Sequence, residues 1–359
     1  MKIFLIIPSL VPGGAERVMS ELANEFYNQN HDVHLVLLAE SNDFYSINPL
    51  IPVHRLGFVN KNLISKLFSE ARVLFLLRRL IKNERPNSVL SFMDKYNIFT
   101  LLACSFLRIN VYISDRGNPK SRLPFYIRTL KRFLYKNASG IVAQTNLAKH
   151  LLSRYVNENK IRIIPNPVRN IKLYPEIKKE KIIINIGRLV PEKGQIYLLE
   201  AFAQTHNQEW ELVILGDGPL REQLNIKAKM LNISNRVTMP GTVNNVDEWL
   251  ARASIFVLSS ISEGYPNALI EAMAAGLACI SFDCNAGPRD IIINNTNGIL
   301  VPIYDIKRLA REIDLLIENS NLRSKLSIEG MKIKEELNIS KISKIYLDFL
   351  GLNKSNPRM

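Results

Sequence analysis

Short aliphatic runs alternate with helix-patterned stretches along this chain, and the whole alternation occurs twice. The first run, KIFLIIP, is apolar from Ile3 to Ile7, the pattern of a parallel strand buried on both faces. After the turn SLVPGG comes AERVMSELANEFYNQN, in which Val18, Leu22 and Phe26 recur at helical spacing. HDVHLVLLA, NSVLSF, NVYISD, SGIVAQ and IRIIP read as further strands, with helical stretches between most of them. Such alternation predicts a parallel sheet covered by helices on both faces. Residues 165–180, PNPVRNIKLYPEIKKE, hold three prolines and several charges with little periodicity, and read as a linker. A second array follows: KIIINIG, ELVILGDG, RVTMPG, SIFVLSS, ACISFD and GILVP, with helices near QIYLLEAFAQT and from about Asn267.

The expected fold is therefore α/β, two Rossmann-like doubly wound domains facing each other across a cleft. A chain of 359 residues is too long for one ordinary core and suits two. The expected division is residues 1–168, residues 169–335, and a helical segment, residues 336–359, packing back toward the first domain. In such sheets ligands bind where strand carboxyl ends and helix amino ends converge.

Charge is distributed unevenly. Of a net +14, residues 1–170 carry an excess of thirteen bases, while the remainder is almost balanced. A chain basic in one half only is expected to use that half on something anionic, such as a membrane face or a phosphorylated lipid. Residues 61–85 and 120–136 mix bases with leucines and aromatics, and Arg78, Arg79, Lys131 and Arg132 are the bases expected to meet lipid. Surface helices with solvated basic faces would read the same. No nucleic-acid-binding signature accompanies the charge. No run of eighteen apolar residues predicts a membrane span, and the run Ile3–Ile7 is too short, and too close to a glycine-rich turn, to read as a signal peptide. Cys104, Cys279 and Cys284 form no metal-binding spacing and no even disulfide set, and are expected to be reduced and buried.

Three segments carry chemistry. Gly13 and Gly14 lie between a strand and a helix, where a backbone can approach an anion; a plain structural turn would look alike. GRLVPEKG, residues 187–194, sets Arg188 and Lys193 on a loop after a strand. A guanidinium and a mobile ammonium suit a diphosphate, although two solvated bases would fit the same pattern. In SSISEGYPNALIEAMAAGLACISF, residues 259–282, a strand leads into Glu263-Gly264-Tyr265-Pro266, and a helix starts near Asn267 and carries Glu271. Carboxylates there can accept hydrogen bonds from vicinal hydroxyls, while the helix amino end favours phosphate. Glu271 could equally be a solvated helix residue.

The stretch EGYPNALIEAMAAG resembles the E-x7-E signature of the family-four retaining glycosyltransferases of GT-B fold, with GGAER at 13–17, GRLVPEKG at 187–194 and GDGPLREQL at 216–224 in the family's order. The resemblance implies that Arg188 and Lys193 hold the donor diphosphate, that Glu263 sits by the transferred sugar as the group nearest the anomeric centre, and that Glu271 binds the nucleotide ribose. It implies that Gly264, Tyr265, Pro266 and Asn267 help hold sugar and phosphate, with Gly13 and Gly14 near the diphosphate or acceptor. No metal or other cofactor is expected, and no D-x-D motif occurs. The family's usual histidine after the fifth strand is replaced by ISDRGNP. That segment and SFMDKYN resemble bacterial polysaccharide transferases that handle galactose or N-acetylhexosamines. This implies a UDP-linked donor, an acceptor on polyprenyl diphosphate, and Asp94, Lys95 and Arg116 as acceptor-binding residues, though Arg116 could instead form a structural salt bridge with Asp115 or another acid. The implied setting is cytoplasmic, peripheral to the inner face of the membrane. The alternatives are a nucleotide-sugar epimerase or phosphorylase of the same fold, which the E-x7-E loop with GGAER argues against, and a non-enzymatic basic membrane or nucleic-acid binder.

Overall fold

The computed structural model describes residues 1–58 and 63–352, with side chains from Phe68 onward in the second stretch. Residues 59–62, the side chains of Lys66 and Leu67 in the basic segment, and residues 353–359 of the terminal segment lie outside this description. The chain forms two compact units, Met1–Pro167 with the segment from Ile339 onward, and Val168–Asn338.

In the first unit the order is β1 (Lys2–Ile7), α1 (Gly14–Asn28), β2 (Asp32–Ala39), β3 (Val53–Phe58), α2 (Leu63–Glu84), β4 (Ser88–Phe92), α3 (Asp94–Cys104), β5 (Asn110–Ser114), α4 (Phe125–Leu134), β6 (Gly140–Ala143), α5 (Asn146–Leu152) and β7 (Ile161–Ile163). The strands form one parallel sheet in the order β3-β2-β1-β4-β5-β6-β7. Leu5 of β1 faces Leu35 on one side and Leu90 on the other, and Ile3 to Ile7 are fully buried. Burial on both faces is why this strand reads as an unbroken apolar run. β3 escapes the sequence reading because it is an edge strand, pairing only with β2, and its VHRLGF is half polar.

The second unit runs β8 (Ile182–Ile186), α6 (Gln195–Phe202), β9 (Glu211–Leu215), α7 (Arg221–Met230), β10 (Val237–Gly241), α8 (Val246–Arg252), β11 (Ile255–Leu258), α9 (Asn267–Ala274), β12 (Ala278–Phe282), α10 (Pro288–Ile291), β13 (Ile299–Val301), α11 (Ile306–Glu318), α12 (Ser320–Met331) and α13 (Ile333–Glu336). Its parallel sheet has the order β10-β9-β8-β11-β12-β13. The supposed linker is largely part of this unit: Val168 and Ile171 are buried in its core, and Arg169 is ion-paired within it.

The last helix, α14 (Ile339–Phe349), completes the first unit. Gln29 donates to Ser343 Oγ at 2.8 Å, and Ser88 Oγ donates to the Leu350 carbonyl at 3.1 Å. Phe349 meets Tyr112 edge-on, and a Cβ at Gly140 would stand 2.5 Å from the Phe349 ring. The helix thus covers strands β5 and β6 with apolar surface.

Candidate active site

The order of the second sheet contains a reversal. From β8 the chain steps outward through β9 and β10, then returns to β11 on β8's other side and continues through β12 to β13. Loops leaving β8 and β11 therefore diverge, and a crevice opens beyond their carboxyl ends. The two loops are 187–194 and 259–266, the segments that carry Arg188, Lys193 and Glu263.

These loops are hydrogen-bonded to each other through the backbone carbonyls of the first. Ser259 Oγ donates to the Lys193 carbonyl at 3.0 Å, and the Ile261 amide donates to the Glu192 carbonyl at 2.9 Å. Gly194 has φ +61°, and a Cβ there would lie 2.2 Å from the Ser259 carbonyl oxygen. Only glycine fits both the left-handed backbone and that approach. The loop after β9 is pressed in similarly: Gly216 has φ +130°, and a Cβ would meet the Gly187 carbonyl oxygen at 2.1 Å. This gives GDGPLREQL a local purpose, holding the β8 loop from its other side.

On this frame Lys193 Nζ donates to Glu263 Oε1 at 2.6 Å. The Glu263 side chain is 9% exposed and that of Lys193 24%. The lysine stem passes over Gly187, where a Cβ would be in ordinary contact with it. Arg188 has its carbonyl fixed by the buried Gln195, whose Nε2 donates to it at 3.1 Å. Its guanidinium is exposed and makes no ion pair among the described residues.

Gly264, Tyr265 and Pro266 lead into α9, whose first residue is Asn267 and whose amino end has no side-chain cap. The helix dipole and first-turn N–H groups make this end receptive to anions. Burial, with Asp290 and Glu336 adding to it, raises the Tyr265 phenol pKa and keeps it protonated. Glu271 lies one turn in. Its Oε2 accepts from Arg169 Nε at 2.9 Å, and Arg169 also pairs with Asp247 at the start of α8. Burial opposes the Arg169 charge, but the two carboxylates outweigh it and raise its pKa. Arg169 and Asp247 were missed in the sequence because Arg169 sits among linker-like residues.

The first unit has its own set beyond the carboxyl ends of three neighbouring strands, β1, β4 and β5. The Gly13 amide donates to Tyr45 Oη at 3.2 Å, and Tyr45 donates back to the Gly13 carbonyl at 3.0 Å. A Cβ on Gly13 would stand 2.2 Å from Glu16 Oε2, so the glycine leaves room for that carboxylate; the Gly13 backbone itself is extended, and Gly14 begins α1. Asp94, at the start of α3, and Asp115, after β5, share one cation: Lys131 Nζ donates to each at 2.5 Å. Asp115 Oδ1 also accepts from Tyr135 Oη at 2.6 Å and from Asn97 Nδ2 at 3.0 Å. Burial, then Asp115, raise the Asp94 carboxyl. Burial works against the Lys131 charge, yet the paired carboxylates keep the proton on it.

Arg116 does not pair with Asp115. It donates to Asn166 Oδ1 at 2.5 Å and to Tyr346 Oη of α14 at 2.6 Å, and lies over the Phe92 ring at 3.6 Å. It clasps α14 to the sheet. Lys95 donates to Glu70 at 2.8 Å, away from Asp94's partner. Two of the four bases expected to meet lipid, Lys131 and Arg78, are engaged inside the fold, while Arg79 and Arg132 are exposed. Lys131 is 5% exposed and spent on two carboxylates. Arg78 donates to the carbonyls of Ala103 and Ser105, closing the end of α3. The available signal was spacing: Lys131 follows the buried Ile127 by four residues and so shares its inward face.

Among the described residues no group of three or more His, Cys, Asp or Glu could hold a metal ion. The three cysteines are buried and unpaired, and burial pushes the Cys104 and Cys284 thiols up to about 12.

Residues 169–332 match the model for Glycosyl transferases group 1, and residues 12–169 that for Glycosyltransferase Family 4. The chain is 29% identical over 98% of both chains to the GalNAc-alpha-(1->4)-GalNAc-alpha-(1->3)-diNAcBac-PP-undecaprenol alpha-1,4-N-acetyl-D-galactosaminyltransferase of Campylobacter jejuni. It is 28% identical, over 79% of its own length and 81% of the relative's, to the Escherichia coli UDP-Gal:alpha-D-GlcNAc-diphosphoundecaprenol alpha-1,3-galactosyltransferase. The crystal structure of Anabaena HepE in complex with UDP has the same fold, with TM-score 0.80 and 19% identity over 98% of this chain and 100% of that one.

Proposed function

The chain belongs to the GT-B glycosyltransferases that join a family 4 domain to a group 1 domain, and on that premise we propose that it transfers a hexose or N-acetylhexosamine from a UDP-sugar to a saccharide on polyprenyl diphosphate. The observation that carries this reading is the 2.6 Å contact between Lys193 and Glu263. It fixes an ammonium and a carboxylate at one point of the crevice, beside the amino end of α9. A nucleotide sugar needs that combination at the bond between its sugar and its diphosphate. The carboxylate can accept from sugar hydroxyls, while the ammonium and the exposed Arg188 meet phosphate oxygens. The names of the relatives supply the acceptor class.

In this reading the bond between the anomeric carbon and the diphosphate oxygen breaks as the acceptor oxygen bonds to that carbon from the same face. The acceptor proton passes to a donor phosphate oxygen, and the product keeps the donor's configuration. Arg188, Lys193 and the α9 dipole stabilise the departing UDP, whose charge grows toward the transition state. These charges can do the neutralising without a metal ion. Glu263 positions the sugar, Glu271 takes the ribose hydroxyls, and backbone from Gly264 to Asn267 holds phosphate. Gly13 and Gly14 would lie by the diphosphate or acceptor, with Asp94 on the acceptor side.

The reading sets the enzyme in the cytoplasm against the inner membrane face, where such acceptors are anchored. Among the described residues no helix is long and apolar enough to cross a membrane, and the basic excess of residues 1–170 supports contact through charge. The test is a donor panel offered to purified enzyme with a synthetic polyprenyl-diphosphate saccharide, with and without chelator. Transfer from a UDP-sugar with retention, unaffected by chelator, is expected. Inversion, or transfer only from donors on another nucleotide, overturns it.

A further inference from the structure

Beyond the carboxyl end of β12 the chain makes a tight loop, residues 283–287, before it enters α10. The loop is fastened at its base and across its mouth. The Asp283 amide donates to the Val301 carbonyl at the end of β13, at 2.7 Å. Arg289 donates from Nε to Asp283 Oδ1 and from Nη2 to Asp283 Oδ2, both at 2.9 Å, so a planar fork closes on one carboxylate. Asp290 Oδ2 accepts from the Gly287 amide at 3.2 Å.

This loop backs the segment that carries Glu263. Gly287 has φ +90°, and a Cβ there would stand 2.4 Å from Pro266 Cδ and 3.4 Å from the Gly264 carbonyl oxygen. Burial first, and then the nearby Glu263 carboxylate, raise the thiol pKa of the fully buried Cys284. Burial, and then Asp290, do the same to the Tyr265 phenol. Glu263, Gly264, Tyr265 and Pro266 thus each have a neighbour among residues 284–290, while Lys193 meets Glu263 from the β8 loop. The pair that closes the backing loop faces water, with Arg289 53% and Asp283 32% exposed. Exposed ion pairs add little to folding. A two-armed pair does remove freedom from the loop it closes, and a misplacement of about 1 Å near reacting atoms can cost on the order of a hundredfold in rate.

We propose that Asp283 and Arg289 are positioning residues for sugar transfer: their pair holds the loop 283–287 against Glu263–Pro266 and so fixes the carboxylate and backbone groups that meet the donor sugar. The proposal rests on the reading that this segment holds the sugar of a UDP-linked donor. It gives neither residue a contact with substrate; both act through Cys284 and Gly287. The sugar is what the backed segment orients, so the pair matters for turnover of the nucleotide sugar and little for binding of UDP alone.

Kinetics on the full chain with the better of UDP-galactose and UDP-N-acetylgalactosamine, beside calorimetry with UDP, test it. Asp283→Asn and Arg289→Ala should each lower kcat on the order of tenfold, with UDP affinity unchanged and melting within about 4 °C of the wild type. The double variant should lose no more than the worse single one, because both remove the same pair. Arg289→Lys, which keeps the charge and loses the fork, should fall between. Exchanging the partners, Asp283→Arg with Arg289→Asp, should recover most of kcat. Gly287→Ala would press a side chain on Pro266 and confound position with folding, so the surface pair carries the test. Deuterium exchange of the Gly264, Tyr265 and Asn267 amides reads the same geometry without turnover; it should quicken in both single variants and slow again in the exchanged pair. Wild-type kcat in both single variants, additive losses in the double one, UDP affinity that falls along with kcat, or unaltered amide exchange overturns the proposal. If the wild type turns over neither donor, the reaction reading fails, and the amide exchange alone then decides whether the pair holds the segment.

Discussion

Lys193 and Glu263, seventy positions apart in the chain, meet at 2.6 Å between the loops that leave strands β8 and β11. The pair has two separable consequences. Lys193→Met would leave a carboxylate that is 9% exposed without its counter-charge, lowering stability by about 1–3 kcal/mol. Adding Glu263→Gln should restore most of that loss, since an amide tolerates the site uncharged. Turnover should not return: removing one preorganised donor costs on the order of a hundredfold or more in kcat. Thermal melts and donor kinetics on both variants check this, and a double variant that regains activity would remove Lys193 from the chemistry.

Glu271 is held by Arg169, which also holds Asp247. Glu271→Ala should weaken UDP binding about ten- to a hundredfold, the worth of a charge-assisted hydrogen bond. Arg169→Ala should weaken it less and Arg169→Lys least, because the arginine orients the carboxylate and does not replace it. Calorimetry with UDP reads all three; equal affinity in Glu271→Ala and wild type would place the ribose elsewhere.

Lys131 is the cation that Asp94 and Asp115 share. Lys131→Met should destabilise the first unit by about 3–5 kcal/mol at neutral pH, as expected when a buried pair loses one partner. The sign of the pH response is distinctive. Burial, then Asp115, already raise the Asp94 carboxyl, and without the opposing lysine its folded pKa stands further above the unfolded one. Stability is then greatest at low pH and falls as pH rises through the folded value of Asp94. Denaturant titrations at pH 4.5 and 7.5 should show the variant recovering at the lower pH.

His54 supplies an opposite response. Its ring meets His34 at 2.9 Å, and His34 in turn pairs with Asp32, with Lys2 and Glu84 close by. Burial first, then His34, lower the His54 pKa. A folded value below the unfolded one, about 6.5, means stability is complete above that pH and declines as pH drops through the folded value. His54→Gln should flatten this decline, and melts between pH 5 and 7.5 would reveal it.

Both sheets were readable in the sequence because strands such as β1 and β8, buried on two faces, are almost unbroken aliphatic runs, with Asn185 the one polar residue inside β8. β3 was not, since an edge strand carrying His54 and Arg55 has no such run. Glu263, Lys193 and Arg188 could be read as loop residues with suitable chemistry. The contact between two of them could not, because it depends on β8 and β11 becoming neighbours in a sheet whose order is not the chain's. Arg169 and Lys131 show the same limit from the other side: a base among prolines or on an amphipathic helix reads as solvated until the acids that claim it are folded around it.

Helix α14 follows the whole second unit in the chain yet supplies Tyr346 to Arg116 and Phe349 to the gap above Gly140 in the first. During synthesis the first unit emerges with that side of its sheet bare, and it stays so while some 170 further residues are made. Its amino-terminal part must therefore wait in an incomplete state, with exposed apolar surface inviting chaperones or aggregation. Shortening the chain before Tyr346 would harm the oldest part of the nascent protein, not the newest.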